Sequence, residues 1–180
     1  VVFLMCLALL AGVSGAADPR AYVAGRFSLE IDGKPIGFVD AIAGGGIQAE
    51  VIEHQGSTQK SIGPLKFEDI SIQVGTGMDP AFYGWIQDFL NATPVRKSGA
   101  ILAYDCSPKV RKRLEFQNAL ITEVGFPALD AASKDPARLT VTWTPETTTF
   151  GGASGTPPSL QHGKAWLASN FRFQLGDLPC

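Results

Sequence analysis

Apolar and polar residues alternate one by one through much of this chain, and that two-residue period is typical of β-strands with one buried face. The apolar members of the three clearest runs are Phe27, Leu29, Ile31, Ile70, Ile72, Val74, Leu139, Val141 and Trp143. Gly (20 residues) and Pro (12 residues) are plentiful, which suits many turns between short strands. The sequence therefore predicts a mainly β fold.

One segment has helical spacing instead. Asp79 is a suitable N-cap and Pro80 suits the first helical position. Large apolar residues then recur three and four positions apart, at Phe82, Trp85, Ile86 and Phe89. A stripe with this spacing usually faces a core rather than a ligand, so we interpret these four side chains as the buried face of one helix.

The ends of the chain differ in composition from its middle. Residues 1–17 are apolar and end in small residues, which indicates a signal peptide or an apolar N-terminal arm, and the run is too short for a membrane span. Residues 18–146 carry the β pattern. Residues 147–161 are rich in Gly, Ser, Thr and Pro, and we expect a flexible linker there.

A possible repeat begins after the predicted linker. Residues 169–175 (SNFRFQL) resemble residues 25–31 (GRFSLEI), and both segments lead into a Gly/Asp turn. Residues 162–180 are therefore a candidate start of a second copy of the domain. Chance similarity between two amphipathic strands is the alternative.

The composition offers little for chemistry. Lys and Arg total 15 against 17 Asp and Glu, a net charge of −2, so high-affinity binding of nucleic acid is not expected. The two histidines, His54 and His162, lack the spacing of metal ligands or acid–base pairs. Residues 44–46 are all glycine and lie between strands, which favours a bend over a phosphate site. We expect no catalytic site, no metal and no cofactor.

Cysteines and charges leave two further questions. Cys106 and Cys180 could form a disulfide in an oxidising compartment, or both could stay free thiols. The basic run at residues 109–113 could pair with acidic groups, face nucleic acid, or be solvated, and the solvated face is the default.

The polar, Gly- and Pro-containing segment 55–65 is predicted to be a loop longer than a hairpin needs, which suggests a function for it.

Seven short segments, taken in order, resemble the phage tail-tube protein family, which includes the inner tube of contractile injection systems and the tube of type VI secretion. They are FSLEIDG (27–33), EVIE (50–53), KSIGPLK (60–66), ISIQVG (70–75), WIQD (85–88), FQNA (116–119) and LTVTW (139–143). Each is weak alone, and the shared order makes the resemblance moderately specific.

The resemblance implies an antiparallel β-sandwich or partial barrel with one flanking α-helix. It implies a structural subunit and not an enzyme, closed into six-fold rings that stack as a hollow tube, with a sheath or baseplate as further partners. An inter-subunit loop would then contain Gln55, Lys60, Ile62, Pro64, Leu65 and Lys66.

Two features depart from the family pattern, namely the apolar start and the extra C-terminal piece. They lead us to expect an exported filament or a phage-tail-like particle. The alternative function is a monomeric secreted β-sandwich that binds a ligand, and a hydrolase with an unrecognised site is a weaker third.

Overall fold

The computed structural model describes residues 26–56, 58–105, 109–152 and 167–171. Within these ranges there are ten strands and one helix. In chain order they are β1 (Arg26–Ile31), β2 (Lys34–Val39), β3 (Ala41–Gly44), β4 (Ile47–Glu53), β5 (Lys60–Phe67), β6 (Ile70–Val74), α1 (Pro80–Leu90), β7 (Lys97–Tyr104), β8 (Val110–Gly125), β9 (Leu139–Thr144) and β10 (Thr147–Gly152). The predicted mainly β fold with one flanking helix is confirmed.

All strand pairs are antiparallel, and seven strands follow one path in the order β2-β1-β7-β8-β9-β6-β3. The 16-residue strand β8 joins the two halves of this path. Its first part pairs with β7 and β10, and its second part pairs with β9. Between the two parts Asn118 has a φ of +49°, where the strand turns from one layer to the next. The result is a sandwich that closes partly into a barrel.

The core lies between these layers and is centred on aromatic side chains. Trp143 on β9 packs 5.8 Å from Trp85 on the helix and 5.2 Å from Phe116 on β8, measured between ring centroids. Trp85 also donates a hydrogen bond of 2.7 Å from Nε1 to the Val95 carbonyl, so its one polar atom is satisfied. These contacts fix the helix against the sheet.

The helix begins and packs as its sequence predicts. The Asp79 side chain accepts a 2.8 Å hydrogen bond from the Ala81 amide, and Pro80 occupies the first turn. Phe82, Trp85 and Ile86 are buried, and Phe89 is half-buried against the same core. Asn91 ends the helix.

The second half of strand β7 is buried on both faces. Ile101 on β7 faces the main core, whereas Leu102 and Tyr104 point to the opposite side and form a second apolar cluster with Val110. The hydroxyl of Tyr104 is hydrogen-bonded to the buried Ser28 hydroxyl at 2.5 Å. Both faces of β7 therefore contribute to stability.

Two predictions about the connections are wrong. Residues 55–65 are not one long loop, because β5 already begins at Lys60 and pairs with β4. Residues 147–152, predicted to be linker, form β10, because their backbone pairs with the first half of β8. The β domain therefore extends at least to Gly152.

Other predictions fall wholly or partly outside the described residues. Residues 1–17 lie there, as do His162, Cys106 and Cys180 with the possible disulfide, and so do residues 153–161 of the predicted linker. Of residues 162–180 only 167–171 are described. In that stretch Leu167 forms a single β-bridge to Pro136 and the Ala168 amide donates to the Asp135 carbonyl at 3.1 Å.

Candidate assembly surfaces

Strands β4 and β5 form a hairpin that projects from the domain, which we name the hairpin arm (residues 47–67). Its register continues that of β3 and β6, since Gly44 pairs with Ile70 and Ile47 pairs with Phe67. Every residue of β4 is exposed, and β5 is exposed or half-buried. The hairpin arm is therefore the free end of one long ribbon whose other end is built into the sheet.

Glycines form the bend between the ribbon's two halves. Gly44 and Gly45 have φ values of +80° and +78°, in the left-handed region that favours glycine. A Cβ on Gly44 would lie 1.9 Å from the Asp69 carbonyl oxygen. The Gly45 amide donates to that oxygen at 3.0 Å, and the Glu68 amide donates to the Gly46 carbonyl at 2.9 Å. The glycine run predicted to be a bend thus lets the strands turn while staying hydrogen-bonded.

The side chain of Glu68 secures the same bend. Its Oε2 accepts from the Gly46 amide at 3.2 Å, and its Oε1 accepts from the Gln48 side chain. Glu68 therefore links Gly46, the last residue of the bend, to Gln48, the second residue of β4.

The two faces of the hairpin arm differ in polarity. Paired residues share a face, and the pairs that carry apolar side chains fall together, with a bulge between Ala49 and Val51 keeping them aligned. This apolar arm face consists of Ile47, Ala49, Val51, Ile62, Leu65 and Phe67. The opposite face carries mostly polar residues, with Ile52 as its one large apolar side chain.

The apolar arm face is exposed to solvent. Ile62 is 74% exposed, Val51 57% and Leu65 56%. An apolar patch of this kind on a projecting ribbon indicates a surface that contacts another protein. A two-stranded ribbon alone is also marginally stable in water, so contact with a neighbour would order it.

The tip of the hairpin arm is polar. Lys60 and Glu53 form a 2.6 Å ion pair, and the His54 ring is hydrogen-bonded to the Ser61 hydroxyl at 3.0 Å. Both contacts cross the hairpin, so they hold the two strands together at the end farthest from the domain.

Of the residues predicted to contact neighbouring subunits, five lie on β5 and one in the turn. Lys60, Ile62, Pro64, Leu65 and Lys66 belong to the strand, and Gln55 lies in the turn that precedes it. The register separates them, because Ile62 and Leu65 belong to the apolar arm face while Lys66 lies on the polar one.

Strand β10 forms a second exposed surface. One edge pairs with β8, and among the described residues no strand pairs with its other edge. Phe150 at this edge is 63% exposed and lies under the Lys112 ammonium, 5.4 Å from the ring centroid. Open edges of this kind are sites for pairing with another chain. Sequence reasoning missed this surface.

The two arginines of the basic run form ion pairs. Arg111 forms a 2.7 Å ion pair with Asp105 and holds the pKa of that carboxyl below its usual range. Arg113 donates hydrogen bonds to Glu115 at 2.7 Å and to Glu30 at 2.8 Å, and these bonds, above all the one to Glu115, raise the pKa of the Arg113 guanidinium. Neighbouring carboxylates therefore balance the charge of Arg111 and Arg113.

No cluster of three or more His, Cys, Asp or Glu residues with metal-binding geometry is found among the described residues. None of the helices formed by those residues has the length and apolar content needed to cross a bilayer. The notable surfaces of the described residues are the apolar face of the hairpin arm and the open edge of β10.

Several solved structures share this fold. A chain in the sheath–tube complex of an extracellular contractile injection system (PVC, extended state) has a TM-score of 0.60 and 18% identity, covering 82% of this chain and 100% of that one. A chain of the anti-feeding prophage cap, described as the tube-terminating cap, has a TM-score of 0.58 and 23% identity, covering 74% and 90%. A chain of the six-fold symmetrised anti-feeding prophage baseplate has a TM-score of 0.53 and 12% identity, covering 71% and 91%.

The sequence itself identifies the family. Residues 23–146 match the family described as T4-like virus tail tube protein gp19. No curated protein sequence matches the chain. The chain belongs to the T4-like tail tube protein family, and the resemblance seen in its short segments is confirmed. Its class is that of the structural subunits from which such tubes are built.

Proposed function

We propose that this chain is the repeating subunit of a hollow tube in a contractile injection system or phage-tail-like particle, assembled as six-fold rings that stack. The observation that carries the proposal is the hairpin arm, whose apolar face stays exposed although the chain has a well-packed core. A monomeric binding module would gain nothing from such a ribbon. A subunit that stacks would bury it.

The β10 edge supports the lateral part of the proposal. In a ring each subunit needs one surface for the neighbour on its left and a different one for the neighbour on its right. An unpaired strand edge with an exposed Phe150 provides one such surface, and pairing across it would protect the edge from non-specific association.

A sheath and a baseplate are proposed as further partners. The similar chains in a sheath–tube complex and in a baseplate support this, since those chains have the same fold. The role is architectural, and we propose no enzymatic step.

Electron microscopy of the purified full chain tests the proposal. Wild type is expected to form rings and tubes of uniform diameter. A variant with Ile62→Asp and Leu65→Asp places two charges on the apolar arm face and is expected to form rings but no long tubes, because unpaired charge is costly to bury. Ile52→Asp is the matched control, since Ile52 is 44% exposed on the opposite face, and its tubes should persist.

The proposal fails if the wild-type chain stays strictly monomeric at high concentration in buffers of varied salt. It also fails if the paired substitution on the apolar arm face and the Ile52 control have the same effect on tube length. Circular dichroism and thermal unfolding establish that each variant is folded.

A further inference from the structure

A groove of about 410 Å³ lies beside the helix. Its walls come from α1, from the residues that directly follow β6 and β8, and from the first residue of β9. The side chains that shape it are Tyr83, Ile86, Leu90, Phe126 and Leu139. Among the described residues that line the groove, none carries a charge.

The groove is open and apolar. Phe126 is 68% exposed, Leu90 58% and Tyr83 37%, whereas Ile86 is buried at its floor. The Tyr83 hydroxyl donates to the Gly75 carbonyl at 3.4 Å, which ties the helix wall to the end of β6. This groove is thus a concave, mostly apolar surface.

The groove and the hairpin arm lie at opposite ends of the same strands. The hairpin arm leaves the sheet where Ile70 pairs with Trp143, and the groove opens where Val74 pairs with Leu139. Strand β6 has five residues, so the two ends are separated by about 15 Å along the ribbon. The exposed arm leads away from the groove of its own chain.

We propose that the groove receives the apolar arm face of a second copy of this chain in the next ring, an inference that rests on the proposed function. One surface projects and the other is concave. The six residues of the apolar arm face and the residues that line the groove carry no charge, so their contact would bury apolar area without desolvating ions, and the Glu53–Lys60 ion pair lies farther out, at the tip of the same face. Seven residues of β4 give the hairpin arm a length of about 23 Å beyond the bend.

The geometry also explains why stacking would continue. A projection at one end and a receptor at the other end make a head-to-tail contact, and such contacts repeat without limit unless a rotation closes them. Each added ring would present a fresh set of grooves at one face of the tube, or a fresh set of arms at the other.

Photo-crosslinking identifies the occupant directly. A benzophenone amino acid replaces Leu90, and the protein is mixed with wild-type chain labelled with heavy isotopes before tubes form. We expect crosslinks from position 90 of the unlabelled chain to residues 47–67 of the isotope-labelled chain, because the hairpin arm in the groove must come from another copy. Crosslinks confined to the same copy, including residues 172–180, or to any other part of a neighbour would overturn the inference.

A charge exchange provides the second test. Leu90→Lys and Ile62→Glu should each reduce the mass of tubes by about tenfold or more, because each buries an unpaired charge. Combining them places opposite charges face to face and should restore much of the tube mass. Ile52→Glu combined with Leu90→Lys should not restore it, because Ile52 lies on the other face of the hairpin arm.

The outcomes separate this inference from the proposed function. If wild type forms tubes and Leu90→Lys forms them equally well, the groove is not the receptor although the chain still builds tubes. If wild type forms no ring or tube, the proposed function fails first. Phe126→Lys, at an even more exposed wall of the groove, repeats the test should Leu90→Lys unfold, and Val95→Lys, outside the groove, is expected to assemble normally.

Discussion

Replacing Gly44 by alanine tests the bend that aims the hairpin arm. Gly44 has a φ of +80°, and its Cβ would lie 1.9 Å from the Asp69 carbonyl oxygen. A non-glycine residue in this region costs about 1–2 kcal/mol. Relieving the clash must also disturb the 3.0 Å hydrogen bond from the Gly45 amide to the same oxygen, a loss of about 0.5–1.5 kcal/mol with some added strain. We expect Gly44→Ala to lower the free energy of unfolding by about 2–4 kcal/mol.

Gly33→Ala is the matched control for this prediction. Gly33 has a similar φ of +75°, but no atom lies within 4 Å of its would-be Cβ. Alanine there should cost only the backbone strain, about 1–2 kcal/mol. The difference between the two variants isolates the close approach of the two strands.

Urea unfolding followed by tryptophan fluorescence measures both variants, because Trp85 and Trp143 lie in the core. Protein concentration must be equal throughout, since assembly adds to apparent stability. Equal decreases in the free energy of unfolding for Gly44→Ala and Gly33→Ala would refute the close approach of the two strands at the bend. A second readout is assembly, because a displaced hairpin arm should shorten tubes in Gly44→Ala but not in Gly33→Ala.

Three further predictions concern the helix and one buried phenol. Gly84 lies exposed in α1 with open space at its Cβ, so Gly84→Ala should raise the free energy of unfolding by about 0.5–1 kcal/mol in urea titrations. Asp79→Ala removes the helix cap and should lower it by about 0.5–2 kcal/mol in the same assay. Burial raises the pKa of Tyr104 above its usual value, so the folded state holds the phenolic proton more tightly than the unfolded state. The resulting contribution to the free energy of unfolding is present at neutral pH and is lost as pH rises through the raised pKa of Tyr104. Tyr104→Phe should therefore make the fall in melting temperature at alkaline pH shallower.

The strands with one buried face could be predicted from the sequence, because burial leaves the two-residue pattern that the prediction uses. The runs around Leu29, Ile72 and Val141 all became strands of the sheet. The helix was equally clear, since its cap, its Pro80 and its buried stripe agree with one another.

Strand β5 was not predicted because its sequence, KSIGPLKF, lacks the two-residue alternation of apolar and polar side chains. Gly63 and Pro64 in its middle are typical of a loop. In a free ribbon, however, Pro can occupy a position at the outer edge, and the bulge opposite Glu50 accommodates the extra residue. The local sequence therefore indicated the wrong structure, and the pairing with β4 decided the outcome.

Strand β10 was not predicted from the sequence, for a related reason. Its Thr- and Gly-rich sequence resembles a linker, and only the distant β8 provides the partner that makes it a strand. The groove is harder still to predict from the sequence, because its walls come from residues near 75, 86, 126 and 139, which only the fold brings together.

The failures of prediction have a common physical cause that bears on function. Alternation reports which residues one chain buries by itself, so a segment intended for burial against a second chain carries apolar residues without the pattern of a completed sheet. Ile62 and Leu65 on β5 and Phe150 on β10 are residues of this kind, each more than half exposed. The segments that the sequence misassigned are therefore the same surfaces that a stacking, ring-forming subunit would complete with its neighbours.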